Sequence, residues 1–170
     1  SAGDTHSYYG SQSLPEKTIT LLFRSKTDIF LAVAENRVYQ HTPKIDQFSK
    51  IRFEFDLGET QPIVYSFAQA ANDDILIGTK DHGLFIWTRK AQVEKQFVLQ
   101  PAIEGGGLTS STIYGIEVDA EANLWCSTQN GIVKLDSKGQ LIKRFTTADG
   151  LQGKDFALGA SFTSREGLIY

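Results

Sequence analysis

Residues 112–135 read TIYGIEVDAEANLWCSTQNGIVKL, and residues 62–87 read PIVYSFAQAANDDILIGTKDHGLFIW. One pattern is written in both, and a third copy stands at 18–39, TITLLFRSKTDIFLAVAENRVY. Tyr65 and Tyr114 correspond at a spacing of 49 residues, as do Ile75 with Leu124 and Thr79 with Thr128. Asp28 and Asp74 correspond at 46, as do Val38 and Leu84. Self-similarity at this period marks a repeat architecture, and it decides the fold.

Each copy opens with an apolar segment, Ile19–Arg24, Ile63–Ala68 or Ile113–Val118, and a short polar turn follows. The second segment runs 28–33, 74–79 or 123–128, and a tight turn leads to the third, Gly83–Trp87 or Gly131–Leu135. A fourth closes the unit, Phe97–Leu99 or Leu141–Phe145, and Phe53-Glu54-Phe55 alternates as a strand does. Runs this short, rich in β-branched and aromatic residues and bounded by Gly, Asn and Asp, are strands. Gly83 and Gly131 fall where a tight turn needs positive φ, which costs glycine little. Gly78, Ser127 and Ala32 are small residues inside strands, suited to close approach of a neighbouring sheet.

Four short antiparallel strands per unit make one blade of a β-propeller. A single blade has two apolar faces and must stack on neighbours to bury them. The chain therefore divides into an N-terminal segment 1–17, able to add an edge strand, and blades at 18–61, 62–111 and 112–155. A further unit starts at 156–170, with a turn at 164–167, and breaks off at Tyr170 inside an expected strand. The chain reads as a piece of something longer: an all-β propeller fragment of about three blades and part of a fourth. Exposed blade faces on such a piece favour association of copies.

The balance is that of a globular domain, 41% hydrophobic and 22% charged, with net charge −3. No basic stripe points to nucleic acid. No apolar run approaches the ~20 residues of a membrane span. One cysteine, Cys126, excludes a disulfide within the chain, and its strand-interior place beside Trp125 reads as a small buried hydrophobe.

Catalytic patterns are missing. His6, His41 and His82 have no ligand spacing and there is no CxxC. His41 follows a strand end and reads as a solvated turn residue. Gly105-Gly106-Gly107 lacks the Lys-Ser/Thr and following helix of a phosphate loop. Asp119-x-Glu121-x-Asn123 begins like a calcium loop but lacks its glycine and distal glutamate, and such residues serve the local backbone in turns. The reading assigns no catalytic, metal or cofactor residue. Binding residues, if any, belong on the loops at one rim of the disc, where a rigid scaffold presents them. The candidates are Lys80, Asp81 and His82 in one loop and Gln129 and Asn130 in the next.

Leu124-Trp125-Cys126-Ser127-Thr128-Gln129-Asn130-Gly131-Ile132 resembles the LWIGT-x-x-GL core of the two-component regulator propeller repeat, and Ile75–Leu84 matches it again with Leu76 in the tryptophan place. The connectors at 107–113 and 149–152 are similar to that family's DGL-type linker, and 155–170 resembles its closing blade. In the first copy Ala32-Val33 replaces Gly-Thr and Arg37 replaces the turn glycine, which leaves that turn's geometry open.

The resemblance implies the periplasmic sensor region of a bacterial membrane signalling protein, with a histidine kinase or GGDEF diguanylate cyclase output elsewhere in the parent. It implies a non-catalytic segment and an extracellular small molecule or carbohydrate as ligand. A protein-interaction scaffold of the WD40 kind would show Gly-His and Trp-Asp signals, and a propeller enzyme would show convergent ligands on the rim.

Overall fold

The computed structural model describes residues 18–51, 62–87, 97–98, 112–153, 156–164 and 169. It forms two compact units, Ser1–Arg52 and Phe53–Tyr170. The first holds one antiparallel sheet in the order β1(Ile19–Arg24), β2(Phe30–Ala34), β3(Arg37–Thr42), β4(Gln47–Ile51). The second holds two sheets, β5(Ile63–Gln69), β6(Ile75–Lys80), β7(Leu84–Trp87), β8(Phe97–Val98), and then β9(Ile113–Val118), β10(Leu124–Thr128), β11(Gly131–Leu135), β12(Leu141–Phe145). Every neighbour in a sheet is also the neighbour in sequence, so each sheet is a four-stranded meander, the blade that the repeat implies. Phe53–Phe55 lies outside the described residues, and β4 is a strand that the repeat comparison did not place. Of the fourth unit, the described residues show a single antiparallel bridge, Thr163 to Ile169.

In Phe53–Tyr170 the second and third blades share one core. Ala68, Leu76 and Leu84 pack with Ile113, Ile116, Leu124, Cys126, Val133 and Leu135, all under a tenth exposed. Each buried Leu or Ile there contributes about 1.5–3 kcal/mol, so this shared face dominates the local stability. The approach is close at Gly78, where a Cβ would press on Ile113 Cγ2 at 2.8 Å. In Ser1–Arg52 Ala32 and Ala34 pack with Tyr39 and Phe48, and Leu31, Val33 and Val38 are buried as well.

The register corrects one correspondence. Leu21 pairs with Val33 as Ser66 pairs with Gly78, and Ile19 with Ala34 as Val64 with Thr79. Val33-Ala34, not Ala32-Val33, therefore stands in the Gly-Thr place. Asp28 matches Asp73, not Asp74, and both adopt left-handed backbone, φ 59° and 66°. The offset changes because the turn after β6 is one residue longer than that after β2, which restores the match of Val38 with Leu84.

That turn is closed in two ways. In the second and third blades the buried hydroxyls of Thr79 and Thr128 donate to the carbonyls of Gly83 and Gly131 at 2.7 and 2.9 Å, and these glycines have φ of 75° and 106°. The first blade has neither threonine nor glycine. Glu35 and Asn36 both take left-handed backbone instead, φ 50° and 60°, the geometry of a type I′ hairpin.

Candidate functional site

The turn between β9 and β10 is organised by Asp119. Its Oδ1 accepts the backbone N–H groups of Glu121 and Asn123 at 3.1 and 2.8 Å. Its Oδ2 accepts from Asn123 Nδ2, Trp125 Nε1 and Lys134 Nζ at 3.0, 2.9 and 3.0 Å. Burial raises the carboxyl's pKa, but hydrogen bonds from Trp125, Asn123 and Lys134 outweigh it and hold the group well below the usual carboxylate range. Ser25 does the same work in the first blade, its hydroxyl accepting from Thr27 N and Ile29 N. The acidic turn is thus the local backbone device that its sequence implies, and Asp119 also fixes a tryptophan. Trp125 lies under Lys134, whose Nζ is 4.7 Å from the ring centroid, and stacks on Phe145 at 5.4 Å. Cys126, fully buried, has its thiol pushed up to about 12 by burial.

His41 is not a solvated turn residue. It lies on β3 with its ring 5.0 Å from Phe48, and its Nε2 is 2.9 Å from the Asp46 carboxylate. Packing against Phe30 and Phe48 and the contact with Asp46 together pull it off the solvent.

Of the five rim candidates, Lys80 ends β6, and the other four occupy the two loops that follow β6 and β10. Lys80, Asp81, Gln129 and Asn130 are exposed, and His82 is half-buried with Nδ1 3.1 Å from Lys80 O. The Asp81 carboxylate accepts from the Thr112 hydroxyl at 3.2 Å. Thr112 precedes β9, whose Ile113 pairs with Thr128, so the two loops share one end of their sheets. The structure brings Asp81 to the third blade, and none of the five residues lines either of the two clefts formed by the described residues around that blade.

Two clefts flank the third blade instead. One, about 440 Å³, lies between it and residues 156–161 and Ile169, with Glu117, Trp125, Ser127, Ile132, Phe156 and Ser161 in its walls. The Thr163 hydroxyl donates to Glu117 Oε2 at 2.7 Å. The other, about 260 Å³, lies between the second and third blades at the opposite end from the rim loops, with Asn72, Asp74 and Lys138 above a floor of leucines. Neither was visible in the repeat comparison, because each is made by residues from two units.

Comparison with solved structures follows this geometry. The extracellular domain of a hybrid two component system, BT3049 of B. thetaiotaomicron, matches 97% of this chain with TM-score 0.71 at 20% identity, and the chain covers 22% of it. That of BT4673 from the same organism matches 94% with TM-score 0.67 at 18% identity, and the chain covers 21% of it. The chain shares the fold of these domains. It spans about a fifth of their length. A gluconolactonase, XC5397 of Xanthomonas campestris, matches 94% of the chain with TM-score 0.61 at 14% identity, with 54% of that protein covered. No family model and no curated protein matches the sequence.

Proposed function

We propose that this chain is part of the sensor region of a bacterial transmembrane signalling protein. It stands in the periplasm, recognises a ligand and performs no chemistry itself. The output, a histidine kinase or diguanylate cyclase, belongs to other parts of the parent. The observation that carries this reading is an agreement of two independent signals. The repeat words Leu124–Ile132 and Ile75–Leu84 resemble the two-component regulator propeller, and the blades they form match extracellular domains of two-component systems across 94–97% of the chain. Fold alone would not carry function, and the gluconolactonase match illustrates why.

Signalling then follows from a ligand that binds one of two packings of associated ectodomains more tightly than the other. Reading the gene onward in frame tests the proposal: a membrane span followed by a kinase or cyclase domain supports it. A reading frame that holds neither overturns it. Light scattering of the 170-residue chain tests the association step, and a monomeric mass at high concentration removes it.

A further inference from the structure

We propose that the cleft between the second and third blades binds a small zwitterion of the amino-acid type, with its ammonium on Asp74, its carboxylate on Lys138 and its aliphatic side chain on the leucine floor. The proposal goes beyond the sensor reading and does not need it, since binding is measured on this chain alone.

Asp74 carries the argument. Its residue is 8% exposed and lines the cleft. Asn72 Nδ2 donates to Asp74 Oδ2 at 2.8 Å, and among the described residues the other carboxylate oxygen receives no donor. A carboxylate offers about four acceptor positions, and a neighbour with N–H groups can fill those that the protein leaves open. Asp119, at the neighbouring turn, shows the filled case with five donors. Asp74 is left with capacity facing a cavity, which suits an ammonium with three N–H groups.

Lys138 is the cation on the same cleft. Its backbone is fixed, because Asp136 Oδ1 accepts the N–H groups of Lys138 and Gln140 at 2.9 and 2.7 Å. Its ammonium has no acidic partner among the described residues. A plain amine would meet Asp74 but also Lys138, and a plain carboxylate the reverse, so a molecule bearing both charges complements the pair. Between them Leu76, Leu84, Leu124 and Leu135 form an apolar floor, each at most 6% exposed. A cavity of about 150 Å³ is enough for a benzene ring, so about 260 Å³ holds a short aliphatic chain with its head groups.

Calorimetric titration of the 170-residue chain with L-leucine, isoamylamine and 4-methylpentanoate tests this. Leucine is expected to bind most tightly and 4-methylpentanoate least. Lys138→Gln, an exposed and structurally mild change, should weaken leucine about fivefold and, by removing the like charge it meets, tighten rather than weaken isoamylamine. Asp74→Asn should weaken both more than tenfold. Asp73→Asn, which alters the exposed neighbour, should weaken neither, and thermal melting of each variant reports whether it is folded. Absence of saturable leucine binding to the unmodified chain overturns the proposal. So does leucine binding indifferent to Lys138→Gln, or tightest binding by 4-methylpentanoate.

Discussion

Tyr65 and Tyr114 stand face to face, ring centroids 6.1 Å apart and planes within 13°. Each is the extra residue of a β-bulge: the pairing skips from Val64 to Ser66 against Thr79 and Gly78, and from Ile113 to Gly115 against Thr128 and Ser127. A bulge re-aims one side chain out of the strand's alternation, and here it turns equivalent tyrosines of adjacent blades toward each other. A double-mutant cycle of Tyr65→Ala and Tyr114→Ala in urea is expected to show a coupling of about 0.5–1.5 kcal/mol. Additive losses would mean that the rings are neighbours without interacting.

Acid sensitivity should be concentrated at Asp119. Its folded pKa lies below its unfolded value of about 3.9, so its stabilising contribution is complete above that pH and fades as the pH falls toward the folded value. Asp119→Asn keeps a carbonyl oxygen for the turn but loses the charge that holds Trp125 and Lys134. Urea midpoints should show a loss of about 1.5–3 kcal/mol at neutral pH, with the gap from the unmodified chain narrowing below about pH 4. A gap constant down to about pH 2 would assign the acid sensitivity elsewhere.

Ala122 is misplaced by local rules. It holds φ 64° at the turn position that Asp28, Asp73 and Gly139 fill in other turns, at φ 59°, 66° and 82°. Left-handed backbone costs a residue with a Cβ roughly 1–2 kcal/mol, more than the extra chain entropy glycine loses on folding. Ala122→Gly should therefore raise stability by about 0.5–1 kcal/mol, read as a higher melting temperature. A lower one would show that the methyl group's packing outweighs the strain.

These cases mark what was legible in the residues. Strand existence and the turn glycines followed from alternation and punctuation, because a pleat and a positive φ act on single residues. The equivalence of Thr79 and Thr128 was visible, but its cause, a hydroxyl reaching a glycine carbonyl, was not. The one-residue error at Asp28 arose because a longer later turn shifts the offset midway through a unit, which only pairing reveals. In the sequence Asp74 is one more acidic residue beside a turn. Its significance depends on Lys138 and four leucines brought from elsewhere in the chain, and no local pattern encodes that meeting.

The pair Ser66–Gly78 in the second blade is Gly115–Ser127 in the third, the same two residue types exchanged across the strands. In the second blade the pair leaves room for one side chain only, whereas a Cβ on Gly115 would lie 3.1 Å from the Ser127 hydroxyl and meet Ser161 Oγ first, at 2.9 Å. A Cβ on Gly78 would run into the Ser66 hydroxyl and would also lie 2.8 Å from Ile113 Cγ2. The Ser66 hydroxyl is itself buried with no hydrogen-bond partner among the described residues. Gly78→Ser should thus destabilise by about 1–3 kcal/mol through overpacking. Ser66→Gly combined with it recreates the order of the third blade and relieves the clash with Ser66 but not that with Ile113. Chemical denaturation should place the double variant between Gly78→Ser and the unmodified chain. A double variant no better than Gly78→Ser would locate the whole cost at Ile113, and full recovery would show that the neighbouring blade yields to the added side chain.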